Sequence, residues 1–315
     1  MTRAVQYEEV GGPEVLRVNE VAEPVAGPGE IAIQVEAAGV NPIDVKLRSG
    51  QRASAPFAEA RGTGADGAGL VTGVGADVDG FRPGDPVVFA NASGRPIGSY
   101  ATDVVVAATD VTLRPAGVSA EQGAAVPIPA GTAYQSLRSL AVREGDTLLI
   151  HGGSGAVGQA AIQFARAWGA TVIASTSDRR ADRVAALGAT PVLYGDGLVE
   201  RVRALGEVSV VLDCAGTDEA LDQSLELLDD RSRIATIVRG ADAASLGIRA
   251  FSGGSPEPLT PRQLSWRSEA VAVTLAMIAG GAFDLELGER YGLDGAADAH
   301  RAIAAGATGK LIIEP

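Results

Sequence analysis

Residues 147–170 read TLLIHGGSGAVGQAAIQFARAWGA, a short apolar run, a glycine-rich turn and a longer amphipathic stretch in that order. Gly153, Gly155 and Gly158 form a G-x-G-x-x-G, weak alone but here set directly between a strand-like and a helix-like segment. Val157, Ala160, Ala161, Phe164, Ala165 and Trp168 fall at i, i+3, i+4, i+7, i+8 and i+11, one apolar helix face suited to packing on a sheet. Glycines allow a tight turn and close approach of backbone to a pyrophosphate, and a helix N-terminus offers free N–H groups and positive partial charge. Gly152, Gly153, Ser154, Gly155, Ala156, Val157 and Gly158 are therefore the candidate cradle of a dinucleotide. The competing reading is a tight strand–helix turn that holds no ligand.

The end of the next strand discriminates between dinucleotides. NAD sites place an acid there to accept the ribose hydroxyls. In this chain Ala174, Ser175, Thr176 and Ser177 precede the first carboxylate, Asp178, and Arg179 and Arg180 follow. Hydroxyls with a guanidinium suit a 2′-phosphate, so Ser175, Thr176 and Arg179 point to NADPH. Asp178 as a helix cap, with the arginines on a solvated face, is the alternative.

Working outward, strand and helix signals alternate from about residue 123 to 265. TLLIH, TVIAS, PVLY, VSVVLD, RIATIV and LGIRAF are six strand candidates, and Gly188 is a stop for the helix that ends near Leu187. Parallel neighbours need long crossovers, so this alternation predicts a doubly wound α/β sheet over 123–265. RIATIV and LGIRAF are apolar enough that an uncovered edge would invite a second copy, which predicts a homodimer. Residues 1–122 differ. GEIAIQVEAAGV, VVFA and GSYATDVVVAA are strand-like between turn signals, without sustained helical periodicity, and predict a mostly antiparallel, barrel-like domain. Ser119 and Gln122 form a capping box that opens a helix. Residues 266–315 hold an apolar helix, FDLELGERYGL, a second helix around DGAADAHRAIAAG and a closing strand, GKLIIEP, and are expected to return to the first domain rather than extend the second.

The chain of 315 residues is long enough for two such cores, and with aromatics at 4% those cores are built from Ala, Val, Leu and Ile. The net charge of −13 and the absence of a Lys/Arg run argue against a nucleic-acid partner. One cysteine, Cys214, excludes an intrachain disulfide. The opening residues lack a signal-peptide core, and AVAVTLAMIAGGAF is shorter than the roughly 20 residues a membrane span needs. A cytoplasmic protein with no membrane partner is expected.

AAGVNPIDVKLRSG, ADGAGLVTGVG, FRPGDPV, HGGSGAVG, VVLDCAG and GKLIIEP, in this order over nearly the whole chain, resemble the zinc-free quinone oxidoreductases of the medium-chain dehydrogenase/reductase superfamily. The resemblance implies a GroES-like catalytic domain interrupted by a Rossmann domain, with cofactor and substrate in the cleft between. It also implies that Tyr194 joins Arg179 at the 2′-phosphate, with an ordinary strand-end aromatic as the alternative. Zinc relatives take a Cys after the first long strand and a His in a Gly-His-Glu segment; the matching places here are VNPID and GADGAG, where Ala65 has the His position and Asp66 that of the Glu. His151 and Cys214 lie in Rossmann strands and His300 reads as a polar surface residue, so no three-ligand set remains and no metal is expected.

Without a Lewis acid, hydride addition to a quinone or α,β-unsaturated carbonyl is the expected chemistry, since only the developing enolate needs stabilising. Asn41, in VNPID, is the first candidate hydrogen-bond donor; a turn residue before Pro42 is the alternative. Lys46 stands where many relatives have a pocket tyrosine, and is a candidate source of positive charge or a proton, or else a solvent-facing lysine. Two further readings stay open: a crystallin-like NADPH-binding scaffold without turnover, and a tailoring enoyl reductase for a polyketide-like substrate.

Overall fold

The computed structural model describes residues 1–53, 57, 59–251, 255 and 257–315. Residues 54–56, 58, 252–254 and 256 thus lie outside the described residues. Two compact units emerge, Met1–Ile128 with Val271–Pro315, and Pro129–Ala270.

The first unit begins with β1 (Thr2–Tyr7), β2 (Arg17–Val21) and β3 (Glu30–Gly39), then α1 (Pro42–Ser49), β4 (Arg61–Gly62), β5 (Asp66–Val74), β6 (Pro86–Phe89), β7 (Asp103–Ala107), β8 (Val111–Leu113) and the short α2 (Ala120–Ala124). β3 is the hub, pairing antiparallel with both β5 and β7. Its inward residues Ile31, Ile33 and Val35 meet Val71, Val87, Phe89 and Val104 in one apolar core. Alternation of this kind is the signature of strands with one buried face.

Contrary to the expectation for the first third, α1 is a helix. Its signals sit at its ends: Pro42 occupies the first turn, Asp44 reaches back to accept the backbone N–H of Asn41 at 2.8 Å, and Gly50 closes it at φ +78°. Its buried positions, Asp44 and Arg48, are charged and spaced i, i+4, so a search for apolar periodicity passes over it.

The second unit opens within α3 (Pro127–Ser139), whose prolines sit in the first turn where a missing N–H costs nothing. It continues through β9 (Thr147–His151), α4 (Ala156–Ala167), β10 (Thr171–Thr176), α5 (Ala181–Ala186), β11 (Thr190–Leu193), α6 (Leu198–Arg203), β12 (Val210–Asp213), α7 (Asp218–Leu227), β13 (Ile234–Thr236), α8 (Ala243–Leu246) and β14 (Arg249–Ala250). The sheet order is β11-β10-β9-β12-β13-β14, every neighbour parallel, which is the doubly wound arrangement expected. RIATIV is not an edge: β13 is paired on both sides, and only the two-residue β14 lies at that border.

The chain re-enters the first unit through α9 (Pro261–Ala279), β15 (Leu287–Gly292), α10 (Ala296–Ala304) and β16 (Lys310–Glu314). β16 pairs with β3, Ile312 opposite Gly39, and not with the parallel sheet. Among the described residues no helix is long and apolar enough to cross a membrane.

Candidate functional site

In the second unit the turn after β9 joins strand to helix by steric necessity. Gly152 has φ +78°. A Cβ on Gly153 would lie 2.6 Å from that of Ala174, and one on Gly158 would lie 2.3 Å from the Gly152 carbonyl oxygen. These glycines are explained by the chain's own packing. Gly155 is not: its φ of −75° suits any residue, and its Cβ would meet only the Gly152 oxygen, 3.6 Å away. The open face at Gly155 is where an external group can approach the backbone. Beside it, the first-turn amides of Ala156, Val157 and Gly158 have no intrahelical acceptor, and no side chain caps the helix. The half-buried Ser154 lends its carbonyl to the Gln159 amide at 2.8 Å, steadying the same turn.

Ser175 plays a different part from the one expected. Its hydroxyl, 3% exposed, accepts the Gly152 N–H at 3.1 Å, and its carbonyl accepts that of Gly153 at 2.9 Å. Burial and engagement make it a brace beneath the loop. Thr176 is buried with a hydroxyl that has no partner, an orphan that asks for one. Its carbonyl accepts the N–H of Tyr194 at 3.2 Å, so the sheet sets Tyr194, a 65% exposed aromatic, beside the end of β10. Arg179 is exposed and makes no hydrogen bond or ion pair among the described residues. An open amide turn, an orphan hydroxyl, a free guanidinium and an exposed ring fit a phosphorylated dinucleotide.

Sequence reasoning missed Arg201. Its guanidinium donates to the carbonyls of Leu193 at 2.7 Å, Asp196 at 2.9 Å and Gly195 at 3.4 Å, tying down the loop that carries Tyr194. It missed Asp213 as well, whose buried carboxylate accepts the N–H groups of Ala215 and Gly216 and the hydroxyl of Thr236, holding the turn after β12. An acid ending an apolar strand just before C-A-G was a legible signal for such a turn. Cys214 follows that strand instead of lying in it, and burial pushes its thiol far up. His151, at the end of β9, is buried, which lowers its pKa to about 4.

In the first unit the structure gathers Asn41, Asp44, Asp66, Tyr100 and Lys310. Asn41 is 1% exposed and spends both amide protons inside, on the Gly39 carbonyl and on Asp66 Oδ2, each at 3.1 Å; its own carbonyl accepts the Lys310 ammonium. No proton is left for a substrate oxygen, so the expectation of Asn41 as that donor is corrected: it is a buried link. Asp66 Oδ2 also accepts the Ile128 N–H at 2.9 Å, and Tyr100 donates to Asp44 at 3.3 Å. Burial, with the neighbouring Asp66 charge, pushes Asp44 up to about 7; burial pulls Lys310 down while Asp66 and Asp44 oppose it. Lys46, half-buried on α1, has an ammonium that makes no hydrogen bond or ion pair among the described residues.

His300 is also not where the sequence put it. It is fully buried, edge-on to Tyr100 with ring centroids 5.9 Å apart, and neither ring nitrogen has a partner. Burial, then the Arg48 charge, lowers its pKa to about 4. A zinc site does not fit. Among the described residues no three His, Cys, Asp or Glu side chains gather to hold an ion, and the segments matching the zinc ligands supply an amide and a carboxylate facing an ammonium.

Two family models match parts of the chain. Residues 27–116 match the alcohol dehydrogenase GroES-like domain, and residues 156–256 match the family described as zinc-binding dehydrogenase. A quinone oxidoreductase of Pseudomonas aeruginosa is 30% identical over 100% of both chains. The human quinone oxidoreductase is 29% identical, covering 99% of this chain and 98% of its own. Among solved structures, Escherichia coli quinone oxidoreductase complexed with NADPH superposes with a TM-score of 0.85 at 27% identity, covering 100% of each chain.

Proposed function

The chain belongs to the quinone oxidoreductase family of the medium-chain dehydrogenase/reductase superfamily, and from that premise we propose that it reduces a quinone or another α,β-unsaturated carbonyl without a metal. It is an NADPH-dependent oxidoreductase. When bound, the nicotinamide supplies the hydride. The chain's own residues bind and stabilise charge. The Ala156, Val157 and Gly158 amides would hold the pyrophosphate beside Gly155, while Thr176, Arg179 and Tyr194 would hold the 2′-phosphate. Lys46, the disengaged ammonium of α1, meets the substrate oxygen as enolate charge develops, and solvent supplies the proton that completes the product.

The single observation that carries this reading is Gly155, a glycine that no described residue requires, beside three open amides. Two copies pair through the β14 edge, one of the two borders of the parallel sheet among the described residues. NADPH oxidation is to be followed with a panel of quinones, enones and simple alkanals, with and without a chelator. Turnover of conjugated carbonyls, unaffected by chelation, is expected. Turnover confined to alkanals, or abolished by the chelator, overturns the reading.

A further inference from the structure

The polar cluster beneath α1 is built around a charge, and its role rests on the metal-free reaction proposed for the chain. Asn41, Asp44 and Asp66 are at most 1% exposed, and the lysine among them, Lys310, is 6% exposed. A lysine has no ordinary place there: it heads a strand that continues Leu311, Ile312, Ile313, all in the core. An ammonium taken out of water needs a counter-charge and hydrogen-bond acceptors to remain there. The fold provides both. Gly39, opposite Ile312, leaves room for the lysine stem, since a Cβ there would lie 2.8 Å from Lys310 Cε. The Asn41 carbonyl accepts its proton, and Asp66, joined to the same carboxamide at 3.1 Å, supplies the negative charge.

Asn41 and Asp66 come from VNPID and GADGAG, the segments whose counterparts in zinc relatives surround a divalent cation. We propose that Lys310 is the built-in cation of this site: its ammonium takes the place of a metal as counter-charge to Asp66 and Asp44, fixes the Asn41 carboxamide, and excludes divalent ions by like-charge repulsion. A lysine suits the task because its charge is compact and its stem packs as hydrocarbon. Lys310 is thus a positioning residue, distinct from any group that touches substrate. It also accounts for the amide at residue 41, whose carbonyl accepts the ammonium proton while its N–H group donates to Asp66.

The test is metal uptake. Wild type, Asn41→Cys/Ala65→His, and the same pair with Lys310→Met are to be incubated with Zn²⁺ or Co²⁺, dialysed, and assayed for metal content and for thiolate-to-cobalt absorption. Wild type and the double variant are expected to retain almost none, and the triple variant about one ion per chain. Equal uptake by double and triple variants overturns the assignment of Lys310. Stoichiometric zinc in the wild type overturns the metal-free reading itself. A thermal cycle decides the matter if the metal variants do not fold. Lys310→Met should lower Tm by about 5–10 °C, and Lys310→Met/Asp66→Asn should recover most of that. An unchanged Tm in the single variant, or a double variant no better than the single, overturns the proposal.

Discussion

Lys310 and Asn41, 269 positions apart, are joined by a hydrogen bond from the lysine ammonium to the side-chain carbonyl. Asn41 in turn donates to Asp66, so one carboxamide bridges a buried cation and a buried anion. Asn41→Ala would strip a partner from each and leave both underbonded. A loss of about 2–4 kcal/mol is expected in urea unfolding, with NADPH affinity unchanged. Native stability in Asn41→Ala would mean that the bridge contributes nothing.

Lys46 is the group of α1 with an uncommitted charge. Lys46→Ala should lower kcat and kcat/KM together by about 10- to 100-fold for a quinone substrate and leave the Kd for NADPH alone. A change confined to the substrate KM would assign Lys46 to ground-state binding.

Among the described residues Arg179 is free, and the hydroxyl of Thr176 is buried without a partner. Arg179→Ala removes a charge-assisted contact to a 2′-phosphate, and roughly ten- to a hundredfold weaker NADPH binding is expected, with NADH binding unaffected. Calorimetry with both cofactors measures it, and equal weakening of the two would place Arg179 elsewhere.

Arg201 acts one step further back. Gly195 and Gly197, both at positive φ, give the Tyr194 loop little stiffness of its own, and three bonds from Arg201 supply it. Arg201→Ala should raise the Kd for NADPH about three- to tenfold through loop ordering. Combined with Tyr194→Ala it should add little, because both act on one contact. Additive losses would show that Arg201 and Tyr194 work separately.

His300 makes acid stability testable. Its folded pKa, about 4, lies below its ordinary value of 6.5, so the unfolded chain binds the proton first. Its contribution to stability is complete above 6.5 and is lost as pH falls toward 4. Burial moves Asp44 the other way, up to about 7 from 3.8, and its contribution fades as pH rises through 7. Tm measured from pH 7 to 4.5 should fall less in His300→Leu than in the wild type. Parallel curves would mean that folding leaves the His300 pKa at its ordinary value.

The cofactor half of the molecule was readable because its signals are local. Strand, glycine turn and helix occupy residues 147–170 without interruption, and the period of α4 names its buried face; Ala160, Ala161, Phe164 and Ala165 are all in the core. The hydroxyls at the end of β10 are a local signal of the same kind, although burial turned Ser175 into a brace. Helix α1 escaped because its inward side is Asp44 and Arg48, and His300 because polarity stands in for exposure only when no aromatic such as Tyr100 covers it.

The amino-acid order by itself thus determined the doubly wound sheet and the dinucleotide turn, which follow from spacing within a few dozen residues, and the family, which follows from the resemblance of motifs spread over nearly the whole chain. Only the tertiary structure decided what Asn41, Asp66, His300 and Lys310 do. Their environment is assembled from strands far apart in the chain, and a buried charge depends on which partners arrive, a quantity that no periodicity records.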